Sequence, residues 1–207
     1  MPDPRTQIVS DGYDAMGEAF AEWRTRIVDD PRREWEDELA SRLTEGARLL
    51  ELGCGSGPPE TQRLARRFAL TGVDISPRQI ERARAAIPGA EFICADFTEL
   101  ELPAGSFDAV ASFYAFNHVP RDLLAPLLTR AQGWLVPGGW LLTAFGVSDT
   151  EGWTGDWLGA ETFFSSYPAE TNSRLVRAAG FTIERDEVVQ LQEPEGPVNF
   201  QWVLACA

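Results

Sequence analysis

Histidine is almost missing from this sequence, whose 207 residues include one, His118. The three cysteines, Cys54, Cys94 and Cys206, are scattered, with no C-x-x-C spacing and no even count. That pattern excludes a disulfide framework and a zinc site and fits a reducing compartment. No cluster of His, Cys and acids is spaced to hold a metal, so none is expected. No apolar run is long enough to span a bilayer, and Met1-Pro2-Asp3-Pro4-Arg5 lacks a signal-peptide core, so the protein is expected to be cytoplasmic with no membrane partner. Positive charge is scarce as well, with 18 basic against 32 acidic residues and a net charge of −14. The basic residues sit among acids, as in Arg32-Arg33-Glu34-Trp35-Glu36-Asp37-Glu38. A duplex binder needs a basic stripe to displace counterions, so nucleic acid is not an expected partner. The acidity reads first as solubility, with a field for a cationic substrate as the alternative.

The chain does contain a dense glycine turn. Leu49-Leu50-Glu51-Leu52 runs into Gly53-Cys54-Gly55-Ser56-Gly57, then Pro58-Pro59 and a helical pattern. This predicts a buried strand, a turn that something approaches closely, and a helix whose N–H groups point at it. Upstream, residues 8–43 predict two helices broken at Asp29-Asp30-Pro31. Tyr13, Met16, Phe20 and Trp23 form the apolar face of the first, either as core packing or as a lid over a site. Downstream, strands are expected at 47–52, 70–74, 90–95, 107–113 and 140–145, alternating with helices. The helix after Asp74 carries a capping-box start, Ser76-Pro77-Arg78-Gln79.

This order demands parallel strands with right-handed crossovers and helices on both faces. Ligands of such sheets bind at the strands' carboxyl ends, where Gly53–Gly57, Asp74, Asp96 and Ser112–His118 all fall. Residues 146–167 lose periodicity but stay aromatic, which suits a segment that covers something apolar. A helix at 169–179 and strands at 181–189 and 200–205, joined by Glu193-Pro194-Glu195-Gly196-Pro197, predict an antiparallel edge.

The glycines run G-x-G-x-G, and Pro58 stands where a nicotinamide fingerprint has its last glycine. No G-K-[ST] follows, so a P-loop is excluded. Leu49–Gly57, Gly72-Val73-Asp74-Ile75-Ser76, Ala95-Asp96-Phe97, Phe107-Asp108-Ala109-Val110 and Leu135-Val136-Pro137-Gly138-Gly139 together resemble the successive motifs of class I S-adenosylmethionine-dependent methyltransferases of the small-molecule type. The resemblance runs from about Tyr13 to the end. It implies an α/β, Rossmann-like, doubly wound seven-stranded sheet, mostly parallel with an antiparallel C-terminal strand. It also implies one domain over residues 1–207, with a helical lid at 1–45, a core at 47–207 and an aromatic insertion at 147–168.

The same resemblance assigns residues to S-adenosylmethionine and its product S-adenosylhomocysteine. Glu51, Gly53, Cys54 and Gly55 would line the methionine part, although Glu51 could simply cap the turn and Cys54 could be filler. Asp74 would take both ribose hydroxyls and Ile75 would pack on the adenine. Ala95, Asp96 and Phe97 would border the adenine, Asp96 accepting from its amino group. Either acid could instead be a cap. Ser112 and Phe113 would lie near the sulfonium. Asp108, at the start of its strand, is expected to be structural.

Methyl transfer needs in-line positioning, and a base only if the acceptor loses a proton. His118, with Tyr13, is the candidate base, or else shapes the pocket. Tyr13, Phe20, Tyr114, Trp153, Trp157, Phe163 and Phe164 would surround the substrate. No N-P-P-Y follows the fourth strand, which favours a small, largely apolar acceptor, at O or N before C. Similar proteins place a His and an Asp around the positions of Tyr167-Pro168, and this chain has neither. The connection from Arg66-Arg67 into Leu70 also lacks the usual glycine. The alternative is a non-methylating, for example pericyclic, reaction on the same cofactor. Neither a monomer nor a homodimer is specified.

Overall fold

A computed structural model describes residues 3–207; Met1 and Pro2 of the expected lid lie outside them. Its centre is β1 (Arg48–Leu52), flanked by β2 (Ala69–Asp74) and β4 (Phe107–Ser112) in a seven-stranded sheet of order β3-β2-β1-β4-β5-β9-β8. β1 to β5, with β3 (Glu91–Cys94) and β5 (Leu135–Gly146), pair in parallel, whereas β9 (Gly196–Cys206) runs antiparallel to both β5 and β8 (Thr182–Glu193). The expected doubly wound sheet with an antiparallel terminal strand is therefore the observed one. β1 is buried at four of its five positions, as a central strand covered on both faces must be.

Helices cover both faces. α6 (Arg121–Trp134) and α7 (Ala169–Ala178) cover one, where Leu50, Leu127, Leu128, Leu141 and Val203 form a core. On the other, Trp35 and Leu39 of α3 (Arg32–Arg42) pack with Leu49, Leu142 and Trp202. The Trp35 and Trp202 rings stack at 5.7 Å. α3 is thus part of the core, and the lid is shorter than the expected 1–45. α4 (Pro59–Ala65) and α5 (Pro77–Ala86) follow β1 and β2. α5 starts as its cap signal requires, the Ser76 hydroxyl accepting from Gln79 N–H at 3.1 Å.

Four expectations change. The first predicted helix is two, α1 (Pro4–Met16) and α2 (Glu18–Arg24), because Gly17 takes φ of 54° and ends α1. Pro137-Gly138-Gly139 does not precede β5 but lies inside it as a bulge, with Phe107 opposite Leu135 and Ala109 opposite Trp140. The aromatic segment is not irregular: β6 (Trp153–Trp157) and β7 (Ala160–Phe164) form a hairpin. Its Leu158-Gly159 turn has φ of 55° and 80°, the sign pattern of a type I′ turn. Finally, β8 and β9 stay paired to Glu193–Gly196, whereas β5 stops pairing at Gly146–Phe200. The tip of that hairpin overhangs the sheet's carboxyl edge, where an isolated bridge joins Gln192 to Val28.

Candidate functional site

The carboxyl ends of β1, β2 and β4, the residues after β3, the lid and both hairpins enclose one cavity of about 920 Å³. That is the upper part of the range for ligand pockets, with room for a cofactor and a second molecule. Gly53, Cys54, Gly55, Asp74, Ile75, Asp96, Phe97 and Phe113 line it, as do Tyr13, Phe20, Tyr114, His118, Trp157 and Phe164.

The glycine turn takes a backbone shape that only glycine adopts without cost. Gly53, Gly55 and Gly57 all have positive φ, and a Cβ added to Gly53 would stand 2.2 Å from that of Ala115. A Cβ on Gly55 would meet nothing within 4 Å, so this backbone faces open space that a ligand can approach. Asp74 braces the turn, accepting from Gly55 N–H at 2.8 Å and Ser76 N–H at 3.0 Å, one on each carboxylate oxygen. Burial raises its pKa against these backbone bonds. Each oxygen keeps a further acceptor site. Asp96 Oδ1 accepts from the backbone N–H and hydroxyl of Thr98 at 2.8 and 2.6 Å, while its buried Oδ2 meets no donor among the described residues. Carboxyl groups with spare acceptor sites on a glycine-lined cavity suit a diol and an amino group.

Glu51, Ala95 and Ser112 do not reach the wall. Glu51 is buried and accepts from Arg32 and Thr61, each at 3.0 Å. Burial raises its pKa, opposed by the Arg32 charge. Arg32, also bound to Glu36 at 2.7 Å and lying 4.0 Å over the Phe113 ring, faces the cavity in its place. Ser112 turns into the sheet and donates to the Leu52 carbonyl at 3.1 Å. The Cys54 thiol is buried under Gly72, where burial pushes its pKa up, so it is filler rather than a nucleophile. Asp108 stands at the far end of the sheet, paired with Arg48 at 3.1 Å.

At the opposite wall, Tyr13 makes edge contacts with Phe20, His118 and Trp157, and Trp157 with Trp23 and Phe164. Two expected members stay off the wall, Phe163 by strand parity and Trp153, which shares the face of its partner Phe164, by its place at the open end of the hairpin. Phe163 points from the other face of β7 and packs toward Gly152, and Trp153 sits at the start of β6, 43% exposed. Phe163 instead contributes its carbonyl. His118 Nδ1 lies 2.8 Å from it and Nε2 lies 2.9 Å from the Tyr13 hydroxyl. Desolvation holds the imidazole neutral, with its pKa lowered to about 4. The carbonyl can only accept, so Nδ1 carries the proton and Nε2 accepts from Tyr13.

Trp23, expected on the apolar face of the first helix, reaches the wall, and Arg24, Arg32, Thr98, Glu193 and Phe200 complete it without having been singled out in the sequence. The Trp23 indole donates to Glu195 at 2.9 Å, pinning α2 to the overhanging hairpin. Spacing within α2 marks Trp23 as apolar-face, but nothing local shows that Glu193 or Phe200 reaches so far from the sheet.

Residues 49–139 match the family model of a methyltransferase domain. Over these residues the chain has the domain of class I S-adenosylmethionine-dependent methyltransferases. Over 163 residues it is 31% identical to 27-O-demethylrifamycin SV methyltransferase of Amycolatopsis mediterranei, covering 67% of this chain and 58% of that one. Among solved structures, 1,6-didemethyltoxoflavin-N1-methyltransferase of Burkholderia thailandensis, with S-adenosylhomocysteine bound, aligns over 100% of this chain and 91% of its own at TM-score 0.75 and 19% identity. The cyclase SpnF aligns over 76% of this chain and 60% of its own at TM-score 0.58 and 28% identity. The chain spans about half the length of the curated relatives it matches. The family's cofactor fits the wall described above, since the orphaned Asp96 Oδ2 and the open face of Gly55 lie where such a molecule needs an acceptor and a bare backbone. Among the described residues no group of His, Cys, Asp and Glu could hold a metal ion, and no helix is long and apolar enough to cross a membrane.

Proposed function

We propose that this protein transfers the methyl group of S-adenosylmethionine to an oxygen or nitrogen of a small, largely apolar molecule. The observation that carries this reading is one continuous cavity with Asp74, Asp96 and the glycine turn at one end and His118 within an aromatic wall at the other. The cofactor, when bound, supplies a methyl group already activated on sulfur. Gly55, Asp74, Ile75, Asp96 and Phe97 hold it, and Arg32 presents a guanidinium toward it from behind Phe113. Tyr13, Phe20, Trp157 and Phe164 exclude water from the acceptor and align it, and much of the rate of an in-line displacement comes from such positioning. His118 Nε2 is the free-base nitrogen of the cavity and takes the acceptor's proton, directly in place of Tyr13 or through its hydroxyl.

The test is ligand stabilisation followed by turnover. S-adenosylhomocysteine at about 100 times its dissociation constant adds about 2.7 kcal/mol, or about 5–10 °C in Tm for a chain of this size. NAD gives no shift, and Asp74→Ala abolishes the S-adenosylhomocysteine shift. A chain that shifts with NAD alone refutes the reading. The likeness to SpnF supports a second one, in which the same cavity catalyses a non-methylating, for example pericyclic, reaction. S-adenosylhomocysteine formed in step with product supports methyl transfer, and product formed with the cofactor intact supports the second reading.

A further inference from the structure

The overhanging β8–β9 hairpin brings to the cavity a carboxyl group without a partner, that of Glu193. Val189, Leu191 and Glu193 alternate on one face of β8, and Leu191 and Glu193 line the wall. The Glu193 carboxyl is half-buried, and among the described residues it meets no hydrogen-bond donor and no cation. The charged groups around it all have partners. Arg24 pairs with Glu60, Arg32 with Glu36 and Glu51, Asp30 with the Tyr114 hydroxyl, and Glu195 with the Trp23 indole. Outside the glycine-turn end, Glu193 is therefore the carboxylate of the wall that has neither a hydrogen-bond donor nor a cation among the described residues. Beside it stand the rings of Phe20, Trp23 and Trp157, packed at centroid distances of 5.0–6.1 Å.

We infer, resting on the methyl-transfer reading, that the acceptor is an arylalkylamine whose ammonium seats between Glu193 and this aromatic wall while its nucleophile faces His118. A carboxylate supplies the charge partner, and ring faces attract a cation that has left water. Neither group would favour a carboxylate-bearing acceptor. Burial and the nearby Glu195 raise the Glu193 pKa to about 7, the state of a carboxyl that still lacks its cation. A bound ammonium would lower it. Arginines elsewhere on the wall do not oppose this, because each already faces carboxylates of the chain.

The experiment is calorimetric titration of the S-adenosylhomocysteine-loaded protein at pH 8 with three phenols of one shape. These are tyramine, para-propylphenol and para-hydroxyphenylpropionate, in which the same ethylene arm ends in an ammonium, a methyl and a carboxylate. Tyramine binds at least about tenfold tighter than either of the others, and Glu193→Gln brings the three within about threefold. The same variant keeps wild-type affinity for S-adenosylhomocysteine. Equal binding of the three, preference for the neutral or acidic probe, no binding of any, or a preference that survives Glu193→Gln overturns the inference while leaving the cofactor reading intact. An S-adenosylhomocysteine affinity that falls tenfold in Glu193→Gln with the probe order unchanged also overturns it, because the carboxylate would then serve the cofactor. Failure of wild type to bind S-adenosylhomocysteine removes both.

Discussion

The Tyr13 hydroxyl lies 2.9 Å from Nε2 of His118, and the opposite ring nitrogen lies 2.8 Å from the Phe163 carbonyl. A lid helix and a hairpin thus grip the same imidazole from two sides and fix its tautomer. If Nε2 takes the acceptor's proton, His118→Gln lowers kcat by about 10²–10⁴-fold, the usual span for loss of a general base. Substrate KM changes little, because glutamine keeps an acceptor near Tyr13. Tyr13→Phe costs less, since Nε2 survives. Steady-state release of S-adenosylhomocysteine measures both, and a His118→Gln enzyme with unchanged kcat assigns the residue to pocket shape alone.

Two groups on this cavity make opposite contributions to the pH dependence of stability. Burial lowers the His118 pKa from 6.5 to about 4, so the unfolded chain protonates first as pH falls. His118 therefore costs nothing above pH 6.5 and removes stability progressively down to about pH 4, by at most about 3 kcal/mol. Burial raises the Glu193 pKa from 4.5 to about 7, so the folded chain holds that proton more tightly. Its contribution is lost as pH rises from 4.5 through 7. Urea denaturation of wild type against His118→Gln and against Glu193→Gln isolates each. The wild-type advantage over His118→Gln shrinks toward pH 4, and that over Glu193→Gln shrinks toward pH 8. A difference that is flat across the window refutes the assignment for that residue.

The sheet and the glycine-turn end of the cavity were legible because their signals are local. Glycines, an acid at a strand end and a capping serine each specify their own backbone, and Asp74, Gly55 and Ser76 meet within one loop pair. What escaped depends on distance in space. Glu51 sits in the motif yet faces Arg32 from another helix, so its carboxylate belongs to a buried ion pair and not to the cavity. Phe163 and Phe164 differ by one position, and only strand parity, invisible without knowing that residues 153–164 form a hairpin, sends one inward. That hairpin was hidden by its turn, where Leu158 takes a positive φ usually left to Asn, Asp or Gly. Glu193 escaped because the length of a hairpin overhang is set by where β5 stops.

Asp96 offers the sharpest check on the adenine end. Its Oδ1 is spent on Thr98, and its buried Oδ2 has no donor among the described residues. In Asp96→Asn the amide oxygen must face Thr98, which leaves the NH₂ opposite the donor that the site was meant to receive. Loss of a charge-assisted bond with donors opposed weakens S-adenosylhomocysteine by about 10–100-fold. Without ligand the same variant unfolds within about 1 kcal/mol of wild type, because no bond within the chain is broken. Isothermal titration and urea denaturation give the two numbers, and wild-type affinity in the variant would place the adenine elsewhere.

Gly12 sets two principles against each other. It lies inside α1, where alanine stabilises an ordinary helix by about 1 kcal/mol over glycine. Here, however, a Cβ would stand 2.4 Å from the Glu161 carbonyl oxygen and 3.5 Å from the Thr162 Cβ, both on β7. The backbone of the hairpin cannot rotate away as a side chain could, so helix and hairpin must separate. Overpacking of this kind costs about 1–3 kcal/mol, and the expected sign for Gly12→Ala is destabilisation. Tyr13 is the next residue and β7 holds the Phe163 carbonyl, so the same displacement opens the Tyr13–His118 contact. Gly12→Ala should then lose both stability and turnover while its affinity for S-adenosylhomocysteine stays within about threefold. A variant with a higher Tm than wild type would show that α1 stands off β7 in solution.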